Sequence, residues 1–324
     1  MNQSPLVSVL IPCYNHEAFL DDCLKSLVAQ TYENIELLIC DDCSPDGSYA
    51  KILSWESALR ERFSRVEILR NEVNCGVTKN INRMLSVSRG DYIKILASDD
   101  AMVPSAVARM VDFMERDVTI SVAVVNGVKV PEDRHYPDFG GSEFVYPTPP
   151  DFSSDGFMER LARCNPVFAP GVMVRRSMYD EYGTYDESLK VEDYEYWLRL
   201  LKGGRAKFAY LDECLLYYRI NANSMTSLSG NDGLAIRRKR IHSSELDTLE
   251  KYRDCFSPDV YAEIVLMRIF RELWLAVEYH LDSWEKELSD AWKKFPYRKD
   301  LSRKNQRKFR WLYFRQSVKR FIRR

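Results

Sequence analysis

The sequence predicts an α/β fold with a largely parallel central sheet, and three observations carry that expectation. Short apolar runs alternate with amphipathic stretches of about 10–15 residues, the pattern of successive βαβ units. The runs ending near residues 11, 40 and 97 all finish in polar groups: Tyr14-Asn15, Asp41-Asp42 and Asp99-Asp100. In a parallel sheet those ends meet along one edge, where ligands sit in such folds. Finally, Ser98-Asp99-Asp100 places two adjacent carboxylates at a strand end, which costs stability unless a cation or polar ligand compensates. A solvated turn with two Asp residues is the competing reading of that stretch.

In chain order, Val7–Ile11 is a buried-strand pattern closed by Pro12-Cys13-Tyr14-Asn15. Over 17–30, Phe19/Leu20, Cys23/Leu24 and Leu27/Val28 recur at helical spacing. Ile35–Cys40 is the next strand, followed by Ser44-Pro45-Asp46-Gly47 turn chemistry, a helix to about Arg62 and a strand at Val66–Leu69. Asn74-Cys75-Gly76 opens a helix through Leu85, Tyr92–Ala97 is the fourth strand, and Ile120–Val125 the fifth. The Pro-, Gly- and aromatic-rich span 131–155 reads as a long loop over the active face. Glu192–Leu201 is helical with Gly203-Gly204 as its stop, Asn221–Gly233 is polar and mobile, and helices follow over 234–255 and 258–281 with Pro258 in a first turn. A domain boundary is expected near 225–235.

The formal net charge of −1 hides an asymmetry. Residues 293–324 hold 14 Lys and Arg against one acid, Asp300, a balance of +13; the other 33 basic and 47 acidic residues leave 1–292 at −14. No stretch approaches the roughly 18 unbroken apolar residues of a membrane span, and Pro12 cuts short any secretory signal. Eight scattered cysteines read as free cytosolic thiols, with Cys40-Asp41-Asp42-Cys43 a formal C-x-x-C that lacks a second pair to complete a zinc set. No G-x-G-x-x-G follows the first strand, so phosphates must be held by something other than a glycine cradle, a metal ion being the evident substitute.

Taken together, Val7-Ser8-Val9-Leu10-Ile11-Pro12-Cys13-Tyr14-Asn15, Gln30-Thr31-Tyr32, Asp41-Asp42-Cys43-Ser44-Pro45-Asp46-Gly47-Ser48, Asn74-Cys75-Gly76, Ser98-Asp99-Asp100 and Glu192-Asp193-Tyr194-Glu195-Tyr196-Trp197 stand in an order that resembles the GT-A family 2 glycosyltransferases. These are inverting bacterial enzymes of O-antigen, capsule and related polysaccharide synthesis. The resemblance covers about residues 5–225. It implies a GT-A catalytic domain over 1–230 and a helical C-terminal region over 231–324. It also implies a nucleotide-sugar donor (UDP ahead of dTDP or GDP), a Mn2+ or Mg2+ cofactor, and a saccharide or polyprenyl-diphosphate-linked acceptor.

Residue by residue, Pro12 and Tyr14 match the strand end where an aromatic face stacks on the nucleobase. Asp42 matches the carboxylate that accepts from a uracil ring nitrogen, with Asp41 supporting the turn. Glu17 is read either as a ribose contact or as the first-turn acid that a helix N-terminus prefers. Asn74 and Gly76 match the Asn-x-Gly turn beside the nucleotide; Lys79, where Arg is common, is read as positive charge there or as an exposed helical lysine. Asp99 matches a ribose or metal-water contact and Asp100 the metal ligand. Asp193 matches the base that takes the acceptor hydroxyl proton, while Glu192, Asp193 and Glu195 also suit an acidic helix start. Relatives often carry Arg-x-His after the last core strand; here it is Arg219-Ile220-Asn221, leaving Arg219 and Asn221 as diphosphate contacts and a metal ligand in doubt. Two alternatives stand: a sugar-nucleotide nucleotidyltransferase, against which the absence of a Gly-rich basic loop after the first strand counts, and a non-catalytic binding partner of another transferase.

Trp311, Phe314, Val318, Phe321 and Ile322 recur at helical spacings among Arg and Lys, the composition of an interfacial helix on anionic lipid. Packing of an ordinary terminal helix on the acidic body is the rival, and nucleic acid is disfavoured by the aromatics and the acidic body. The expected location is cytoplasmic, peripheral on the inner face of the plasma membrane. Removing 293–324 should therefore move the protein from the membrane to the soluble fraction on cell fractionation; unchanged partitioning would count against the lipid reading.

Overall fold

The computed structural model describes residues 4–141, 143–221, 231–309 and 311–312. Two compact units emerge: Met1–Phe157, Pro166–Glu187 and Arg199–Asn221 form the first; Met158–Asn165, Ser188–Leu198 and Ala222–Arg324 form the second. The second unit thus takes in two short segments that a single cut near residue 230 leaves with the first.

The first unit begins β1 (Val7–Cys13), α1 (Leu20–Val28), β2 (Ile35–Asp41), α2 (Ser48–Arg62), β3 (Arg65–Arg70), α3 (Val77–Val87) and β4 (Tyr92–Ile95). These strands pair in parallel in the order β3-β2-β1-β4. β1 and β2 are buried almost throughout, which is why they read as unbroken apolar runs. α1 turns Leu20, Cys23, Leu24 and Leu27 into the core shared with Val9, Ile11 and Ile39. It starts later than the expected residue 17, because Asn15 takes φ 56° and the following turn belongs to the loop.

β5 (Ala101–Met102), α4 (Ala106–Arg116), β6 (Ile120–Pro131) and β7 (Glu143–Phe144) follow, then α5 (Phe157–Arg163), β8 (Val172–Arg175), α6 (Arg176–Tyr182), α7 (Glu192–Gly203) and β9 (Lys207–Ile220). The nine-stranded sheet continues from β4 through β8, β6 and β9 to β5, with β7 on β6. β8 is antiparallel to both neighbours, whereas β6 and β9 run parallel over their whole length. β6 is twice as long as the sequence suggests. Register shifts at Asn126 and Gly127 carry the strand onward, and the Asn126 side chain accepts from Gly127 N and Tyr146 N.

One buried polar knot fixes the start of the sheet. Glu36 accepts Ser8 Oγ, Gly90 N and Arg65 Nη1, and Ser8 Oγ itself accepts Gly90 N at 2.8 Å. The backbone of Gly90 lies so close that a Cβ there would stand 2.5 Å from Ser8 N.

The second unit is helical: α8 (Asn231–Lys251), α9 (Pro258–Glu278) and α10 (Asp282–Lys293) join most of α5 and the first part of α7. Pro258 occupies the first turn of α9, capped by Ser257 accepting from Val260 N. Buried Arg268 on α9 donates to Ala162 O and to Glu245, and Glu195 on α7 receives Lys251 and Tyr252. Leu301 and Phe309 are buried, Phe309 against Trp292, and Lys308 bonds Glu263, so this part of the basic segment packs on the helices of its own unit. Trp311 is exposed; Phe314, Val318, Phe321 and Ile322, and most of the polar stretch 221–233, lie outside the described residues. Among the described residues no helix is long and apolar enough to cross a membrane.

Replacing Gly90 by Ala forces the contact with Ser8 and should lower stability by about 1–3 kcal/mol. Urea titration followed by fluorescence reads it directly; an unshifted midpoint would mean the knot gives way freely.

Candidate functional site

The loops that leave β1, β2 and β4 are tied to one another by side chains. Asn15 N donates to Ser44 Oγ at 2.9 Å and His16 N to Ser48 Oγ at 3.0 Å. Glu17 N donates to Asp46, and the Glu17 carboxylate accepts Gly47 N. His16 Nδ1 lies 2.8 Å from Ser98 Oγ, and its Nε2 lies 3.8 Å from Asp99. Each link joins residues far apart in sequence, and together they set Tyr14, Asp42 and Asp99 on one rim. Tyr14 is 45% exposed, as an aromatic platform for a ligand must be. Pro12, still within β1, stands opposite Cys40.

Asp42 is buried and its carboxylate organises the turn that follows β3. Oδ1 accepts Asn71 Nδ2 at 2.7 Å and Cys75 N at 2.8 Å; Oδ2 accepts Gly76 N at 2.8 Å. A carboxylate has about four acceptor directions, so one remains, on Oδ2. Gly76 has φ +88°, a conformation that suits glycine, and it turns the chain into α3. Asn74 and Lys79 are exposed on this turn and helix. Asp41, fully buried, accepts Ser44 N and lies 3.4 Å from Arg70, the turn-supporting role its position suggests.

Asp100 is buried and only half satisfied. Its Oδ1 accepts the backbone N–H of Arg219 at 2.9 Å, and its buried Oδ2 has no hydrogen-bond partner. Burial first, and the neighbouring Asp99 second, push its carboxyl well above the usual range, while Lys94 and Arg219 pull it back. Lys94, fully buried in β4, bonds Pro170 O and Ile95 O, and burial brings its ammonium down to about 7. An unpartnered carboxylate oxygen beside a second carboxylate is a donor set that suits a hard divalent cation, with a diphosphate completing the shell.

Arg219 joins the site from the end of β9. It is 1% exposed, its plane lies between Phe19 and Phe139, and every guanidinium nitrogen donates within the protein. Nε reaches Asp99 O, Nη1 the carbonyls of Pro131, Glu132 and Arg134, and Nη2 Asp22. Each guanidinium nitrogen is thus engaged within the protein, and the side chain ties α1, the loop after β6 and Asp99 together. Asn221 is buried just beyond β9.

Asp193 belongs to the second unit, half-buried in the first turn of α7, with Asn165 Nδ2 3.5 Å from Oδ2. Burial raises its carboxyl above the ordinary value, and burial together with Asp193 lifts Glu192 to about 7. Trp197 is buried, as a core residue would be. Also in this unit, His242, Glu245 and Glu272 come within 4.8 Å of one another. Arg238, Arg268 and Arg271 already pair with the two carboxylates, and that excess of positive charge suits a structural network better than a metal.

All eight cysteines are free; burial pushes Cys40 up to about 12 and Cys43 Sγ bonds Glu72 O, so their C-x-x-C is not a thiolate pair. Sequence reasoning missed His16, Asp22 and Lys94. Asp22 gives no signal, because an acid in a helix's first turn is what the dipole favours in any case. Lys94 could have been noticed as a charge inside an apolar strand.

The family model described as Glycosyl transferase family 2 matches residues 8–183. The chain is 27% identical over 291 residues to the putative glycosyltransferase EpsE of Bacillus subtilis (strain 168), covering 86% of this chain and 95% of that one. It is 28% identical to the UDP-Glc:alpha-D-GlcNAc-diphosphoundecaprenol beta-1,3-glucosyltransferase WfaP of Escherichia coli, over 68% and 80% of the two chains. Among solved structures, the mannosyltransferase PcManGT from Pyrobaculum calidifontis, in complex with GDP-Man and Mn2+, superposes with a TM-score of 0.57 at 16% identity, over 99% and 88% of the chains; the fold is GT-A.

The raised Glu192 carboxyl fixes a sign. Folding favours its protonated form, so its contribution is full below the ordinary 4.5 and is lost as pH rises to about 7. Glu192→Gln should therefore gain stability over the wild type as pH climbs through that window and hold the gain above it. Thermal melts from pH 4 to pH 8 would refute this if the gap stayed constant.

Proposed function

Since the chain belongs to glycosyl transferase family 2, we propose that it is an inverting, divalent-cation-dependent hexosyltransferase. Its donor is a nucleotide-sugar, UDP-linked in the first instance. Its acceptor is a saccharide or a polyprenyl-diphosphate-linked saccharide in bacterial surface polysaccharide synthesis. The observation that carries this reading is Asp100 Oδ2, a buried carboxylate oxygen without a partner at the edge where the β1, β2 and β4 loops are tied together. The names of WfaP, with its UDP-Glc donor and lipid-linked acceptor, and of PcManGT, with GDP-Man and Mn2+, support it by analogy.

In this reading Tyr14 stacks on the base, and Pro12 shapes the strand end beneath it. Asp42 offers its remaining acceptor direction on Oδ2 to a ring N–H. Asn74, Gly76 and Lys79 border the nucleotide. Glu17, already accepting Gly47 N, keeps an oxygen for a ribose hydroxyl. Asp99 holds ribose or a water, and Asp100 supplies the metal ligand, with Asn221 near the diphosphate. A bound Mn2+ or Mg2+ ion supplies positive charge against the leaving nucleoside diphosphate. Asp193 accepts the proton of the attacking hydroxyl, and the upward shift of its carboxyl makes it a stronger base than an exposed aspartate. The basic segment from residue 293 holds the protein on an anionic membrane where a lipid-linked acceptor resides.

Sugar release from UDP-sugars with Mn2+ should disappear in Asp100→Ala. Asp193→Asn should slow transfer to acceptor by about 10²–10⁴ while leaving UDP binding, read by thermal shift, intact. Full transfer by Asp193→Asn would remove the base from the scheme.

A further inference from the structure

We propose that Asp22 is a positioning residue for the metal-binding carboxylates, acting through the buried guanidinium of Arg219; this rests on the reading of Asp100 as metal ligand. Asp22 and Arg219 lie 197 positions apart, one on α1 and the other near the end of β9, and both side chains are almost wholly buried. Arg219 Nη2 donates to Asp22 Oδ2 at 2.8 Å. From the same guanidinium Nε holds Asp99 O at 2.9 Å, and from the same residue the backbone N–H holds Asp100 Oδ1. Both acids of the Asp99-Asp100 pair are thus attached to one residue, and that residue's free rotation is stopped by Asp22.

The geometry divides the labour between two carboxylates. Arg219 carries a permanent charge next to Asp99 and Asp100. Left without an anion of its own, it would turn toward the unpartnered Asp100 Oδ2 and neutralise the oxygen a cation needs. Asp22, carried by α1, prevents this by pairing with the guanidinium through Nη2. It also fixes the loop after β6: Asp22 Oδ1 accepts Tyr136 N at 3.1 Å, and Oδ2 lies 2.9 Å from His135 Nδ1. Arg219 Nη1 meanwhile holds the carbonyls of Pro131, Glu132 and Arg134. The ring faces of Phe19 and Phe139 keep water from the ion pair, so the pairing is poorly screened. The loop after β6, the metal carboxylates and α1 therefore share one buried cation.

The test is Mn2+ affinity in the presence of UDP, read by the EPR signal of free Mn2+, alongside UDP affinity without metal. Asp22→Asn keeps the shape and removes the charge; it should weaken Mn2+ binding about ten- to a hundredfold, the range for residues that orient metal ligands, and leave metal-free UDP binding unchanged. Asp22→Glu should restore most of the loss. Should Asp22→Asn fail to fold, Arg219→Lys interrogates the same contact, since an ammonium cannot span Asp22 and Asp99 O together; it too should weaken Mn2+ binding. Wild-type Mn2+ affinity in Asp22→Asn or Arg219→Lys, or an equal loss of metal-free UDP binding, would overturn the proposal. Undiminished Mn2+ binding in Asp100→Asn would instead overturn the metal assignment beneath it.

Discussion

β1 is hydrogen-bonded in parallel to β2 along one edge and to β4 along the other, with Val7 opposite both Ile35 and Tyr92. That double pairing leaves the chain no choice about where the three strands finish. Their carboxyl ends arrive side by side, and the loops at 14–17, 44–48 and 98–100 become neighbours although the sequence separates them. The side-chain links among Asn15, His16, Ser44, Ser48 and Ser98 then fix the rim at the level of individual atoms. The knot of Ser8, Glu36 and Gly90 holds the opposite end of the same strands, so sliding of one against another is resisted at both ends.

Against this scaffold the first unit buries an unusual amount of charge. Asp22, Asp100, Lys94 and Arg219 are all nearly inaccessible. Isolated, each would be costly; paired and hydrogen-bonded, such groups define one arrangement more sharply than apolar packing does. Among the described residues of this unit, the arrangement leaves two acid oxygens, Asp41 Oδ1 and Asp100 Oδ2, with nothing to accept from. A similar economy rules the second unit, where three arginines and two glutamates from α8 and α9 satisfy one another and leave His242 buried beside them, its imidazole brought down to about 4 chiefly by burial.

Much of this was legible from residue order alone. The parallel strands announce themselves because burial on both faces demands unbroken apolar runs, and the polar groups at their ends mark the rim. β9 and the outer half of β6 stayed hidden for a physical reason. Bulges at Val125, Asn126 and Gly127 break the two-residue alternation. Asp22 was invisible because its partners, His135, Tyr136 and Arg219, all lie more than a hundred positions away. Arg219 was visible as a charge, but its role in tying Asp22, Asp99 and the loop after β6 together emerges only from packing.

Asp42 has a consequence of a different kind. Its carboxylate is oriented by Asn71, Cys75 and Gly76 as soon as the turn after β3 forms. The rotamer freedom of this side chain is thus lost during folding itself, with the turn. In the proposed donor site, a ring N–H meeting its remaining acceptor direction would surrender little affinity to ordering the carboxylate.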